Sequence, residues 1–509
     1  MDYEVGGLIF AILLSIWLLL IRRDTRIPRE DQPGLPPGPK WWQVIRTMWQ
    51  LGFSPHESFA ALRRTHGPIM TLWLGTMCTV VISSEQTARE MFKNHDAVLA
   101  GRKIYESMKG DYGNEGSIIT AQYGPHWRMM RRLCSQEFFV TRRLDATRDV
   151  RSRCVENMVK FIKEESGDGC SIDVGRFIFL MNFNLIGNLL FSKDLLDPKS
   201  ERGAEFFFHA GKVMEIAGRP NIADYFPVFR RIDPQGIRRC TQFHVERAFE
   251  IAGEFIKERM EMLESSSEEK RKDFLDVLLE FRGDGVEEPS TFSSRTVNVI
   301  VFEMFTAGTD TTTSTLEWAM AELLHNPTLL TKAQSEIRTK IGPKKTLQEH
   351  HIEHLPYLKA VIKETLRLHP PLPFLVPHMA INPCKMLGYS IPKDTQILVN
   401  VWAIGRDSQN WENPLVFRPE RFLDLNVDFK GKDFEFIPFG SGRRICPALP
   451  LASRLLPLAL GSLLYYFDWG LGDGVRAEDM DMGERMGITL RKCVPLKAIP
   501  VAYMFDEEN

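Results

Sequence analysis

Cys446 closes the run Phe439-Gly440-Ser441-Gly442-Arg443-Arg444-Ile445-Cys446, and an apolar stretch, Leu449 to Leu464, starts just beyond it. No other segment limits the possible folds so tightly. Glycines at 440 and 442 permit a tight turn and a close approach of backbone to a flat partner. An ordinary thiol is mostly protonated at neutral pH, so a cysteine that ligates metal as a thiolate needs the metal, a cation or a dipole to stabilise it. A helix beginning at Leu449 would aim its N-terminal dipole at the sulfur. Within the run, Phe439 can pack beneath a planar cofactor and Arg444 can meet its acidic substituents. The other cysteines, at 78, 134, 154, 170, 240, 384 and 493, include no C-x-x-C pair. They read as reduced, packed thiols rather than a disulfide framework or a zinc site.

With 509 residues, 44% hydrophobic and 26% charged, the chain has ample material for a large core. Apolar periodicity and charge mixing look alike on both sides of every candidate linker, so the body reads as one domain although its length would allow several. The net charge is -2 and no Lys/Arg run is interleaved with aromatics, which argues against nucleic-acid binding.

The first residues depart from this mixture. Val5 to Ile21 is apolar apart from Ser15 and two glycines, enough to span a bilayer as a helix. Asp2 and Glu4 precede it and Arg22, Arg23 and Arg26 follow, which leaves the bulk of the protein on the cytosolic side. Lacking a basic n-region and a small-x-small cleavage site, the segment reads as an uncleaved anchor rather than a signal peptide. Pro33-Gly34-Leu35-Pro36-Pro37-Gly38-Pro39 then favours a stiff, extended spacer. The expected organisation is a membrane anchor at 1–24, a proline-rich hinge and entry segment at 25–53, and a catalytic domain at 54–509.

In the body, apolar residues recur at helical spacing over Glu85 to Asn94, Trp127 to Phe138, Leu144 to Glu165, Gln242 to Leu263, Phe274 to Phe281, Ser293 to His325 and Leu329 to Ile341. Strand signals are fewer: Ile69 to Leu74 and Thr79 to Ile82 flank a Gly75-Thr76 turn, and Thr395 to Val401 reads as a later strand. The polar stretch from Glu264 to Lys272 reads as a solvated loop. The class is mainly α with a small β-sheet region. Glu364 and Arg367 stand at i and i+3 on one helix face, where their charges can meet. Gly308 and the threonines of Ala307-Gly308-Thr309-Asp310-Thr311-Thr312 depress helix propensity inside a long apolar helix, and a hydroxyl that bonds back to the preceding turn can open it. Trp127 and Arg131, four apart, share a helix face.

Phe439, Gly442, Arg444 and Cys446 fit the cysteine loop F-x-x-G-x-R-x-C-x-G of the cytochrome P-450 family, with Ala448 standing where glycine is usual. Further segments match in the family's order, and the chain resembles that family, particularly its plant microsomal terpenoid- and alkaloid-hydroxylating branch, over nearly its whole length. The resemblance implies the cytochrome P-450 fold behind an N-terminal transmembrane helix, single-pass in the endoplasmic reticulum membrane. It implies haem b (iron protoporphyrin IX) with Cys446 as the axial thiolate. Trp127, Arg131, His378 and Arg444 would serve the haem propionates, and Phe439 would pack under the ring. Asp310 and Thr311 would relay protons to iron-bound O2, and Arg421 of Pro419-Glu420-Arg421-Phe422 would complete a buried triad with Glu364 and Arg367.

Positions matching the family's substrate segments are Tyr105 to Ile119, Phe206 to Phe208, Phe302, Phe305, Ala307, Phe374, Leu375, Val376, Met486 and Ile488, mostly apolar or aromatic, as a small lipophilic substrate requires. Only Arg102, Lys103 and Lys109 lie near them to meet a carboxylate, which favours a neutral molecule. No flavin or nicotinamide fingerprint is present, so electrons are expected from NADPH through a separate membrane flavoprotein, an NADPH-cytochrome reductase, with Arg131, Arg132, Lys432 and Arg443 as candidate docking residues. The reading expected is a monooxygenase acting on a terpenoid, with an alkaloid or phenolic as alternative substrate. A haem-thiolate isomerase or dehydratase, disfavoured by the intact Asp310-Thr311 pair, and a non-catalytic haem or lipid binder are the rival classes.

Overall fold

The computed structural model describes residues 34–40, 54–108, 116–167, 169–195, 201–265, 273–343, 345–472 and 474–504. The expected anchor, most of the hinge, Lys109 and the centre of the polar loop lie outside them. The longer helices are α1 (Pro55–His66), α2 (Glu85–Asn94), α3 (Pro125–Leu133), α4 (Arg148–Glu165), α5 (Val174–Phe191), α6 (Glu201–Ala217), α7 (Ile237–Ser265), α8 (Ser294–His325), α9 (Pro327–Ile341), α10 (Pro356–Leu368) and α11 (Leu449–Tyr466). Their starts follow local chemistry. Ser84, Asp173 and Ser293 cap α2, α5 and α8 by accepting the N–H of Thr87, Arg176 and Thr296. Proline occupies the first turn of α1, α3, α9 and α10, where no intrahelical N–H is needed.

α8 runs through the main core, with Leu316, Trp318, Ala319, Met320, Ala321 and Leu323 fully buried against neighbouring helices. α5 and α11 are apolar enough to cross a bilayer by length and composition, yet both are mostly packed inside the body. Beside the helices lies a five-stranded sheet of β1 (Ile69–Leu74), β2 (Met77–Ile82), β3 (Gly101–Arg102), β4 (His378–Met379) and β5 (Gln396–Val399), in the order β1-β2-β5-β4-β3. β1 and β2 form the hairpin expected around Gly75-Thr76, in register Ile69↔Ile82 to Leu74↔Met77. The strand expected to reach Val401 stops at Val399, because Asn400 caps a helical turn at Val401–Ile404 by accepting the Ala403 N–H. β3 pairs with β4 so that Arg102 stands opposite His378. Near the C terminus, β6 (Glu484–Met486) and β7 (Leu490–Lys492) make a tight hairpin.

Two carboxylates lock the elements that frame the centre. Glu364 in α10 is fully buried and forms a bidentate pair with Arg367, at 2.7 Å to each oxygen, and also accepts from Arg421 Nε at 2.9 Å and the Arg418 N–H at 2.8 Å. Glu303 in α8 accepts from the Ser117 hydroxyl and from the N–H groups of Ile118 (2.7 Å) and Ile119 (3.4 Å), tying the 116–121 segment to the long helix. Desolvation raises Glu303 to about 7 against these hydrogen bonds.

Glu364→Ala would strand two buried arginines and cost about 3–5 kcal/mol, seen as a collapse of the thermal midpoint and of cofactor content in expressed protein. For Glu303 the folded state holds its proton more tightly than the unfolded chain, so ionisation destabilises the fold: the cost is absent below about pH 4.5 and complete above about 7. Thermal melts from pH 5 to 8 are therefore expected to show Glu303→Gln gaining on the wild type as pH rises, by an amount on the order of 2 kcal/mol. A gap that is flat in pH would contradict this.

Candidate functional site

The Cys446 loop folds back on itself through the Cys446 N–H, which donates to the Phe439 carbonyl at 2.9 Å. Gly440 and Gly442 adopt φ of 75° and 66°, left-handed values that favour glycine. At Gly442 the backbone closely approaches Asp96: a Cβ there would sit 2.5 Å from Asp96 Oδ1. Asp96 accepts the Arg443 N–H at 3.0 Å and its Nη1 at 2.9 Å, which fastens the loop to the end of α2. Phe439 packs against Phe429, with ring centroids 5.3 Å apart. Ala448 is the residue before α11 and takes φ -85° and ψ 5°, an ordinary conformation that makes no demand for glycine. Burial raises the Cys446 thiol above its usual range, while the N–H groups of Ala448 and Leu449 and the Arg131 guanidinium pull the other way.

Around this loop gathers positive charge. Arg444 is buried, donates from Nε to the Ala100 carbonyl (3.0 Å) and from Nη2 to the Ala121 carbonyl (2.6 Å), and lies 4.2 Å over the Trp127 ring. Desolvation, reinforced by Arg131, depresses it to about 10. Arg131 is itself lowered by burial. Arg102, which the sequence marks only as a charge near the substrate segments, is buried beside them and donates to the carbonyls of Ile119, Val376 and Pro377. His378 bonds through Nδ1 to the Leu99 carbonyl at 2.9 Å, and burial followed by Arg102 and Arg444 holds it well below the usual histidine range. Among the described residues no carboxylate is ion-paired with Arg102, Arg131 or Arg444. The short segment 117–121 joins both systems, since Trp127 Nε1 and Arg444 Nη1 also donate to the Ile118 carbonyl, at 3.0 and 3.5 Å.

On α8, Ala307 is exposed and Thr311 half-buried, although the helix around them is largely buried. These two residues mark its open face. Thr311 Oγ1 donates to the Ala307 carbonyl at 2.8 Å, and Thr306, Thr312, Thr313 and Thr315 make the same back-bond to the residue four before. Asp310 is buried and held from the β6–β7 hairpin by Thr489 and Arg491, neither of which the sequence pointed to.

The expected substrate residues divide. Phe302, Leu375, Val376, Met486 and Ile488 are half-buried, with Phe302 edge-on to Phe249 and Met486 packed on a small core of Phe59, Met70 and Leu72. Phe305 is buried instead among Phe183, Phe191 and Phe206, and Phe374 is buried against Phe59. Both are core residues, because a phenylalanine gains more by leaving water than by lining an open face. Phe208 is exposed on α6. Glu303 was also missed, though a lone carboxylate in the apolar run Val299 to Phe305 is a legible signal of either a clamp or a site.

A family model described as cytochrome P-450 matches residues 36–495. An iridoid oxidase of Catharanthus roseus is 45% identical over 471 residues, 91% of this chain and 92% of its own length. A geraniol 8-hydroxylase of the same plant is 42% identical over 502 residues, 98% and 99% of the two chains. A zebrafish cytochrome P-450 solved with abiraterone superposes with a TM-score of 0.74 at 25% identity, covering 89% of this chain and 100% of that one. Its fold, its cysteine loop and these relatives together place the chain in the cytochrome P-450 family of monooxygenases.

Proposed function

We propose that this chain inserts one oxygen atom from O2 into a small, neutral terpenoid, with Cys446 as the axial ligand of haem b. The observation that carries the reading is the grouping of Cys446 with Arg102, Arg131, Arg444 and His378. A planar cofactor bearing two carboxylates fits a half-buried thiol beside arginines with which, among the described residues, no carboxylate is ion-paired, Arg102 and Arg444 donating to backbone carbonyls instead. Haem on a cysteine thiolate supplies the activation of O2, the sulfur favouring O–O cleavage.

The protein's own residues then have defined tasks. The N–H groups of Ala448 and Leu449 stabilise the Cys446 thiolate. Arg102, Arg131, Arg444, His378 and Trp127 would hold the propionates, and Phe439 would pack against the ring. Thr311, on the open face of α8 and bonded to the Ala307 carbonyl, would donate a hydrogen bond into the site, and Asp310 would supply it with protons. Phe302, Ala307, Val376, Met486 and Ile488 exclude water and bind the lipophile. Electrons come from NADPH through a flavoprotein reductase. Arg131 is half-buried while Arg132, Lys432 and Arg443 are exposed, so docking falls to those three. The first 24 residues anchor the enzyme in the endoplasmic reticulum membrane. Similarity to the iridoid oxidase and geraniol 8-hydroxylase supports a terpenoid substrate.

Reduced, haem-loaded protein treated with carbon monoxide is expected to give the thiolate-specific Soret band, and Cys446→Ala to abolish it. Folded, haem-loaded wild type without that band would overturn the ligand. Microsomes supplied with reductase and a panel of terpenoids including geraniol, beside alkaloids and phenolics, are expected to oxidise a terpenoid; conversion of a phenolic or alkaloid alone would refute the substrate class. Thr311→Ala is expected to keep haem and the carbon monoxide band while diverting NADPH from product to peroxide, and unchanged coupling would remove Thr311 from proton delivery.

A further inference from the structure

Asp310 follows Thr309 and precedes Thr311, yet its buried carboxylate is claimed from outside its own helix. The Thr489 hydroxyl donates to Oδ2, and the Arg491 guanidinium is ion-paired with Oδ1. Arg491 Nε also donates to Thr489 Oγ1 at 3.3 Å, so the two hairpin residues brace each other.

The hairpin that presents them is mounted independently of Asp310. Ser314 Oγ donates to the Leu490 carbonyl at 2.7 Å, and the Leu490 N–H donates to the Pro371 carbonyl at 2.8 Å. On the opposite strand, Glu484 accepts from Trp402 Nε1 at 3.0 Å and meets His56 and His369, both at 3.0 Å, with Arg406 at 3.5 Å. These contacts drive Glu484 far below the carboxylate range despite its burial. The tip of the hairpin is confined as well, since a Cβ on Gly218 would lie 2.5 Å from the Ile488 nitrogen.

Other charges near this side of α8 are accounted for. Glu317, two turns on, accepts the Leu496 N–H at 2.9 Å and feels Lys492 and Arg485. Arg485 stands opposite Arg491 in the hairpin register and is exposed. α5 presents neutral Asn182 to Thr313 and Ile186 to Gly308. Arg491 is therefore the cation that meets Asp310 directly.

We infer that Arg491, braced by Thr489, is a positioning residue that keeps Asp310 ionised and turned toward the hairpin, so that the C-terminal hairpin governs when the acid on α8 takes up a proton. This rests on the proposed proton-delivery role of Asp310. An ion pair must open before water can protonate Oδ1, and the guanidinium, which stays charged, is left to solvent and Thr489. Without Arg491 the buried carboxylate loses its cation, and desolvation favours the neutral acid.

The test uses full-length, haem-loaded wild type, Arg491→Gln, Arg491→Lys and the double variant Arg491→Gln/Asp310→Asn. Infrared difference spectra at neutral pH are expected to show a protonated-carboxyl band in Arg491→Gln that is missing from the wild type, from Arg491→Lys and from the double variant. With reductase present, the pH profile of NADPH oxidation in Arg491→Gln is expected to move by about one unit or more, and Arg491→Lys to restore it. Absence of an Asp310-dependent band in Arg491→Gln overturns the inference, as does an unmoved pH profile. If Arg491→Gln does not fold, Thr489→Val is measured in its place, with a weaker band of the same origin expected and its absence again decisive. Wild type lacking the carbon monoxide Soret band would refute the haem-thiolate reading instead, and the infrared comparison would still decide the state of Asp310.

Discussion

Glu364 Oε1 accepts from Arg367, Arg421 and the Arg418 backbone at once, and the packing of the stretch from Gly405 to Arg421 depends on that junction. One buried carboxylate cannot balance two guanidinium groups. The surplus is spread over backbone carbonyls: Gly405, Pro414 and Val416 accept from Arg367, and Glu412, Asn413 and Val416 from Arg421. Those carbonyls belong to an irregular stretch between β5 and the Cys446 loop that has few ladder bonds of its own. The arginines thus serve as its internal scaffold, and Trp411 covers both, 5.3 and 6.0 Å from their guanidinium carbons. A cysteine loop needs a fixed floor, and this is where the floor comes from.

The centre of the molecule uses the same device with, among the described residues, no ion-paired carboxylate. Arg102 and Arg444 spend their donors on carbonyls of residues 100, 118, 119, 121, 376 and 377, a partial compensation that leaves net positive charge in a desolvated place. Segment 117–121 is where the two sides of the site meet. Its N–H groups point to Glu303 on α8, and its carbonyls point to the cations.

Much of this was legible in the residues. The bounds expected for α2 coincide with those found, because Ser84 and the apolar spacing agree, and α8 begins one residue after its expected start, since Ser293 is its cap. The Glu364–Arg367 pair sits as helix geometry demands. Other features left no periodic trace. α5 is apolar on nearly every face and shows no stripe to read. Phe305 and Phe374 are indistinguishable by composition from residues on an open face. Arg102, Glu303, Thr489 and Arg491 acquire meaning only from partners distant in sequence: Glu303 meets Ser117, and Arg491 meets Asp310. Asp96, which packs against Gly442, is likewise a partner that only the fold brings near.

Because 117–121 is gripped along both edges, a substitution there disturbs its tie to α8 through Glu303 and the seating of Arg102 and Arg444 together. Such coupling restricts the paths by which a new specificity can arise. Variation is accommodated more readily where a side chain is exposed, as at Phe208 midway along α6. The constrained interior and the freer surface of this enzyme are, on that view, two outcomes of a single arrangement of hydrogen bonds.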